Sequence, residues 1–312
     1  MAPARRDEGG RAARRGVTRA VLVTGAAGQL GEALRRAAWP EGFAAVALDR
    51  AALDLADLNA IAGAVAGRRW AAVINAAAYT AVDKAESDQV AAWQVNALAP
   101  AALAAACASA AVPLVQVSTD YIFPGDRDGA WEVDDAAAPL GVYGASKLGG
   151  ELAVRTSGAR HVIVRTAWVM SARGHNFVRT MLRLAAERDT LRVVADQRGS
   201  PTAAADLAAA LVRIAVRLAD DATAPTGTFH FSNAGATSWA GFAEEIFRQS
   251  ARRGGPSAAV TPIATSDYPT PARRPANSLL GLGAIGAAYG IHPRRWEAAL
   301  GDILDELIGA PK

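Results

Sequence analysis

The run VLVTGAAGQLG, residues 21–31, restricts the fold of this chain more than any other stretch. It sets Gly25, Gly28 and Gly31 between an apolar β-like segment and a helical one. Each position of such a G-x-x-G-x-x-G turn has a physical use. The first glycine allows the tight turn, the second lets backbone approach a pyrophosphate, and the third lets the helix pack close to the strand. The helix that opens at Gln29 and Leu30 then offers free N–H donors and the positive end of its dipole to an anion. Asp49 closes the next apolar run, 18 residues past Gly31, near the spacing of a ribose-hydroxyl acceptor. Arg50 follows it and suits a 2′-phosphate instead, so both NADH and NADPH stay open. Asp54 and Leu55 come next, as an adenine-side contact or as a helix cap and its first core residue.

Apolar runs alternate with helical stretches through the first half. Residues 20–25, 44–49, 71–78, 113–119 and 161–168 read as strands, and 29–38 and 100–110 as helices. Continuous apolar strands separated by helices predict an α/β fold with a parallel sheet covered on both faces. The second half is less regular. Helices are expected over 177–189, 203–219 and 239–253, strands over 191–196 and 226–235, and an ordered proline-rich loop over 256–278.

Charge excludes one class of partner. The chain carries 33 basic and 30 acidic residues, but five arginines and two acids fall in residues 1–16. The remaining 28 basic and 28 acidic residues balance, so the body offers no nucleic-acid surface. The Gly/Arg-rich tail is expected to be disordered. No adequate apolar run follows its arginine pairs, which argues against a signal sequence. Residues 98–115 are apolar enough to consider for a membrane, yet Pro100 and Pro113 interrupt them, and a buried helix fits better. Cys107 is the single cysteine, so no internal disulfide can form and a reducing cytoplasm is expected.

The segment STDYIFPG, residues 118–125, ends a strand on hydroxyls and an acid. In an open α/β sheet such a strand end faces the ligand crevice. Tyr143 lies 24 residues after Thr119, and Lys147 follows one helical turn later on the same face. These residue types suit reduction of a ketone. Hydride delivered to carbon leaves charge on oxygen, and a tyrosine can protonate that oxygen. A lysine ammonium beside the phenol would lower its pKa from ~10. A hydroxyl at Thr119 would add a preorganised hydrogen bond, typically worth ~10²–10³ in rate. Glycine loop, strand-end hydroxyl and Tyr-x-x-x-Lys in this order resemble the short-chain dehydrogenase/reductase superfamily.

Longer segments narrow the match. NAAAYTAVDKAE (75–86), STDYIFPG, VYGASKLGGE (142–151), RTAWV (165–169), NFVRTMLRLAAERDTLRVVADQRGSPT (176–202) and YPTPARRPANS (268–278) resemble the dTDP-4-dehydrorhamnose reductase family. The resemblance runs from residue 17 to the C-terminus. It implies a Rossmann-type doubly wound parallel sheet with a smaller C-terminal α/β substrate domain. Residues 17–170 would form the NAD(P)-binding domain, its sheet completed by strands within 191–235. Residues 171–190 and 236–312 would form the substrate domain. The implied reaction is the last step of dTDP-L-rhamnose synthesis: reduction of the 4-keto group of dTDP-4-dehydro-β-L-rhamnose by NADPH or NADH.

Carried over by position, Thr119, Tyr143 and Lys147 match the catalytic trio, and the last two also hold the cofactor. Ala76, Ala77 and Ala78 join the cofactor residues. Thr80 and Val82 match residues lining the nicotinamide and sugar site, and Asp120 and Tyr121 match the pair beside the sugar. Trp168 matches the aromatic residue packed on the deoxysugar, where an indole can cover an apolar ring face. Asn176 and Arg273 or Arg274 lie where extended members of the superfamily hold the diphosphate, a role suited to the arginine fork.

Some positions depart from the family pattern. Tyr79 stands where many members have histidine, and Met170 where an aromatic residue is common. Asp83 and Glu86 have capping-box spacing and are expected to start a helix, while Glu132 and Asp134 are expected to order the loop ahead of Tyr143. Some members bind magnesium at a dimer interface through a glutamate of the first helix. Ala33 stands there, so no such metal is expected, and the chain is expected to be a monomer or weak homodimer without a membrane partner. Two other functions stay open: a nucleotide-sugar epimerase or dehydratase of the same superfamily, and a non-catalytic regulatory subunit like that of methionine adenosyltransferase.

Overall fold

A computed structural model describes residues 18–311, and the basic tail over 1–16 lies outside the described residues. The strands are β1 (Arg19–Thr24), β2 (Phe43–Leu48), β3 (Trp70–Asn75), β4 (Leu114–Thr119), β5 (His161–Thr166), β6 (Val169–Met170), β7 (Thr190–Val194), β8 (Arg198–Gly199), β9 (Thr202–Ala203), β10 (Gly227–His230), β11 (Thr237–Ser238) and β12 (Ala259–Ile263). The helices are α1 (Gln29–Arg36), α2 (Leu58–Ala66), α3 (Val82–Ala85), α4 (Gln89–Trp93), α5 (Ala99–Ser109), α6 (Val142–Thr156), α7 (Phe177–Ala185), α8 (Ala204–Asp220), α9 (Trp239–Ala251), α10 (Gly283–Tyr289) and α11 (Trp296–Leu307).

The central sheet is parallel throughout, in the order β10-β5-β4-β3-β1-β2. Side chains alternate across a strand, so each strand feeds two core layers. Val21 and Val23 of β1 join Leu34 of α1 and Leu207, Leu211 and Ile214 of α8 on one side. Ala20 and Leu22 join Ile61 of α2, Leu103 and Cys107 of α5 and Val154 of α6 on the other. Apolar cover on both faces is what makes the strands apolar runs rather than alternating ones. The chain reverses its direction of travel across the sheet between β1 and β3. Ligand crevices of open α/β sheets form at such a point, outside the carboxyl ends of the strands.

Backbone runs helically from Gln89 to Ser109, through a π turn at Gln94–Leu98. Pro100 therefore does not interrupt it. A proline cannot donate to the carbonyl four residues back, which is that of Asn96. The π turn removes that mismatch, and α6 packs onto the spot so closely that a Cβ at Gly150 would lie 2.2 Å from the Asn96 carbonyl oxygen. Among the described residues this is the one helix long and apolar enough to cross a membrane. Here it buries Leu103, Ala104 and Cys107 in the core, and burial pushes the Cys107 thiol up to about 12.

A second core forms around α7, α9 and α11 with the parallel pair β7–β12, and contains Met181, Leu191, Phe242, Phe247, Trp296 and Leu300. Two short ladders, β6–β9 and β8–β11, lie beside it. Helix α10 returns to the sheet layer, where Ile285 and Tyr289 pack with α8.

One buried ion pair ties α6 to the sheet. Arg165 of β5 donates to Glu151 of α6 from Nε at 3.0 Å and from Nη2 at 2.9 Å, and both residues are buried. Arg155 adds a contact at 2.9 Å, and Arg165 Nη1 donates to the Val133 carbonyl at 3.0 Å. Removing one partner of a buried pair strands the other charge. Arg165→Leu is expected to lower unfolding stability by ~3–5 kcal/mol in urea denaturation. An unchanged midpoint would show that the pair does not anchor the helix.

Candidate active site

The glycine loop is built by close approach. Gly25 has φ +76°, and a Cβ there would lie 2.8 Å from the Ala77 Cα. A Cβ at Gly31 would lie 2.0 Å from the Gly25 carbonyl oxygen. The loop thus presses against the end of β3 while α1 presses against the loop. The N-cap of α1, Gly28, supplies no side-chain hydrogen bond. The first-turn N–H groups at Gln29 and Leu30 are therefore open to an anion in the crevice.

A cavity of about 530 Å³ opens at the carboxyl ends of β1, β3, β4 and β5. It runs from Gly25, Gly28, Gln29 and Leu30, past Ala76, Ala77 and Ala78, to Thr80, Val82, Thr119, Asp120, Tyr121, Tyr143, Lys147 and Trp168. Two buried polar atoms in its wall lack any hydrogen-bond partner: Ser118 Oγ and Thr166 Oγ1. Buried polar groups are normally paired, so this wall carries polar demand that a ligand can meet. Together with the open helix terminus and the glycine cradle, it fits a dinucleotide and a polar substrate. Among the described residues no cluster of three His, Cys, Asp or Glu side chains could hold a metal ion.

At the adenosine end, Arg50, Asp54 and Leu55 line the cavity and Asp49 does not. The Asp49 carboxylate accepts the Ala52 N–H at 3.0 Å instead, closing its own turn. The Ala56 N–H holds the Asp54 carboxyl below its usual range, helped by Arg50 3.5 Å away. Helix α2 starts later than Asp54, at Leu58, with Asp57 as the cap accepting the Asn59 and Ala60 N–H groups.

Thr119 ends β4, with its Oγ1 donating to Asp120 Oδ1 at 3.0 Å and accepting from the Tyr121 N–H at 3.2 Å. Tyr143 and Lys147 sit one turn apart near the start of α6. The Tyr121 ring meets the Tyr143 ring edge-on, centroids 5.4 Å apart. The expected lowering of the phenol by the ammonium is not what governs it. Burial pushes Tyr143 up to about 12, against the pull of the Thr119 hydroxyl. Burial pulls Lys147 down to about 8, against Glu151, and its Nζ donates to the Val117 carbonyl at 2.7 Å. Burial also pushes Asp120 up to about 6, against the Ser278 and Thr119 hydroxyls. A phenol held protonated is the state a proton donor needs.

The start of α6 is fixed from outside. Its N-cap, Gly141, has no side chain, and the Val142 N–H donates to Glu86 Oε1 at 2.9 Å. Glu86 thus caps α6 and not its own segment. Asp83 likewise reaches away, accepting from Arg274 Nη1 at 2.9 Å and Nη2 at 2.8 Å and from the Ala272 N–H at 3.2 Å. The capping-box spacing of these two acids is a coincidence: α3 has four residues, and its acids serve neighbours. In the loop before Tyr143 the ordering acid is Asp135, which accepts the Glu132 N–H at 2.6 Å and pairs with Arg127.

Asn96 was not marked by any motif. From the π turn, its Oδ1 accepts the Tyr79 N–H at 2.8 Å, and its Nδ2 donates to the Tyr79 carbonyl and to Ser146 Oγ, both at 3.1 Å. It therefore splices the loop after β3 to α6. Its one trace in the sequence is an asparagine four residues before a proline inside a helical run.

Three of the expected substrate residues stand off the cavity. Asn176 is the N-cap of α7, accepting the Arg179 N–H at 3.2 Å and donating to Gln29 Oε1 at 3.0 Å and the Ser171 carbonyl at 2.8 Å, so its amide is already used. Arg273 is exposed. Arg274 is held by Asp83 beside Tyr121, whose phenol burial pushes up. Tyr79 lines the wall, and its hydroxyl donates to Asp88 at 3.1 Å. Met170 is buried in the second core, and Val169 lines the wall in its place.

Comparison with known proteins agrees with this architecture. Residues 19–308 match the family described as the RmlD substrate binding domain. A dTDP-4-dehydrorhamnose reductase of Burkholderia thailandensis is 44% identical over 297 residues, 92% of this chain and 99% of that protein. One from Sinorhizobium fredii is 42% identical over 278 residues, 89% of this chain and 94% of that protein. Among solved structures, a Clostridium acetobutylicum dTDP-4-dehydrorhamnose reductase superposes with a TM-score of 0.86 at 36% identity, covering 92% of this chain and 99% of its own. One from Bacillus anthracis in complex with NADP gives 0.85 at 35% identity, covering 93% of this chain and 100% of its own. With a glycine cradle, a strand-end threonine and a Tyr/Lys pair on one cavity, and relatives this similar over nearly its whole length, the chain belongs to the dTDP-4-dehydrorhamnose reductase family.

Proposed function

We propose that this chain reduces the 4-keto group of dTDP-4-dehydro-β-L-rhamnose to dTDP-L-rhamnose, with Tyr143 as the proton donor. The observation that carries the assignment is the convergence of Thr119, Tyr143 and Lys147 on the cavity that the glycine loop opens. A bound reduced nicotinamide supplies the hydride. Tyr143, protonated at neutral pH, donates to the C4 oxygen as charge develops there. Thr119 has one O–H, now engaged with Asp120 Oδ1, and turns it to the same oxygen when released. The Lys147 ammonium eases formation of the phenolate left behind. Gly25, Gly28 and the start of α1 would hold the pyrophosphate, while Ala76, Ala77 and Ala78 would let the ring approach backbone. Thr119 and Lys147 are buried and Tyr143 is half-buried, which limits the access of water to the proton.

Arg50 on the wall, with Asp49 turned away, favours NADPH. A monomer or weak homodimer is the assembly expected under this reading. A cytoplasmic setting fits a chain that consumes reduced nicotinamide and a nucleotide sugar.

Three measurements follow from these roles. Tyr143→Phe is expected to lower turnover by ~10²–10⁴ while cofactor affinity holds; a fully active variant would mean another group supplies the proton. Lys147 loses its charge as pH rises through about 8, so the rate should fall above that pH while Tyr143 stays protonated. A pH–rate profile still flat at pH 10 would remove the ammonium from the mechanism. Arg50→Ala should raise the KM for NADPH by ~10-fold or more and leave that for NADH unchanged, the loss of a charged hydrogen bond. Equal effects on both cofactors would unseat Arg50 as the phosphate partner.

A further inference from the structure

Trp168 joins β5 to β6 with φ +47°, in the left-handed region that residues with a Cβ avoid. Its backbone is pinned there. The Trp168 carbonyl accepts the Thr202 N–H at 3.0 Å, and the next two residues pair with Thr202 and Ala203 in the β6–β9 ladder. This places the indole in the cavity wall.

Both faces of that indole are covered. Trp239 stacks on one face, ring centroids 3.6 Å apart and planes 11° from parallel. Gly199 lies against the other: a Cβ there would fall 2.5 Å from Cε2, 2.7 Å from Cζ2 and 2.9 Å from Nε1. The nearest atom is the ring-fusion carbon and not a rim atom, so the glycine backs onto a face. Trp239 already fills one face at stacking distance, which leaves the opposite one for Gly199. The two sides of the clamp are built together. Gly199 pairs with Thr237 in the β8–β11 ladder, two residues before Trp239. Phe177, with its ring centroid 4.7 Å from that of Trp239, supports the stack within the second core.

An indole clamped on both faces can offer the cavity only its edge. The edge is the positive end of the ring quadrupole and carries the N–H, so it favours oxygen over the C–H face of a sugar. We propose that Gly199 and Trp239 are positioning residues that hold Trp168 edge-on, so that the indole rim meets oxygens of the bound sugar in place of a stacked ring face. This rests on the proposed reading of the cavity as a ketosugar site.

The test compares Trp239→Leu, Trp239→Phe and Gly199→Ala in the full chain, each checked for a wild-type melting transition. Two stacked indoles give an exciton couplet in circular dichroism, read without substrate. Trp239→Leu should abolish the couplet and raise the KM for the ketosugar about tenfold, the worth of an aromatic pair. Its kcat should stay within about threefold and its NADPH affinity should be unchanged, since the lost interaction is uniform binding. Trp239→Phe should lose the couplet yet keep KM near wild type, because a ring still covers the face. Gly199→Ala should shrink the couplet and raise KM through the opposite face. A wild-type protein without the couplet overturns the clamp, and a folded Trp239→Leu variant with an unaltered KM overturns its role toward the sugar. Absence of ketosugar turnover in the wild type would instead count against the proposed function, leaving the couplet measurements to judge the clamp.

Discussion

Everything at this site depends on backbone brought against backbone at the end of β1. A Cβ at Gly31 would fall 2.0 Å from the Gly25 carbonyl oxygen, and one at Gly25 would fall 2.8 Å from the Ala77 Cα. These distances exclude a side chain at either position without moving the loop. They also set the start of α1 directly above the crevice between β1 and β3, with its N–H groups unpaired. Any shift of this contact moves the dipole of α1 and the floor formed by Ala76–Ala78 together.

The second half of the site is a helix held at several points. Glu86 caps the start of α6, Asn96 ties it to the loop after β3 through Ser146, and Arg165 grips Glu151 two turns beyond Tyr143. Tyr143 and Lys147 occupy the span between these anchors. Burial then acts on both in opposite senses, raising the phenol and lowering the ammonium. The result is a phenol that stays protonated at neutral pH beside a cation that is charged only below about 8, the pairing that the proposed proton transfer needs. In the proposed mechanism the interaction of the two residues matters once the proton leaves, when a phenolate needs a neighbouring charge.

The glycine loop, the parallel sheet and the Thr119–Tyr143–Lys147 set were legible in the sequence because their signals are local: a turn, apolar runs and one helical turn of spacing. What was not legible depends on partners far along the chain. Glu86 reads as the third residue of a capping box, and only the fold reveals that its partner is Val142. Asn176 reads as a ligand-facing amide until Gln29, Ser171 and Arg179 are seen to use it. Pro100 reads as a break, because the π turn that accommodates it, where Gly150 packs against Asn96, leaves no local signal in the sequence. Trp168 reads as a flat wall for a sugar, whereas Trp239 and Gly199 cover its faces from a strand pair 30 or more residues away.

The central claim is that hydride passes from the nicotinamide to C4 of a 4-ketosugar while Tyr143 protonates the oxygen. Its most direct test uses NADPH deuterated at the transferring nicotinamide position together with dTDP-4-dehydro-β-L-rhamnose. Product analysis by mass spectrometry and NMR should find one deuterium, bonded to C4 of the rhamnosyl ring. Deuterium at another carbon, its loss to solvent, or an unoxidised cofactor with folded protein would contradict the account.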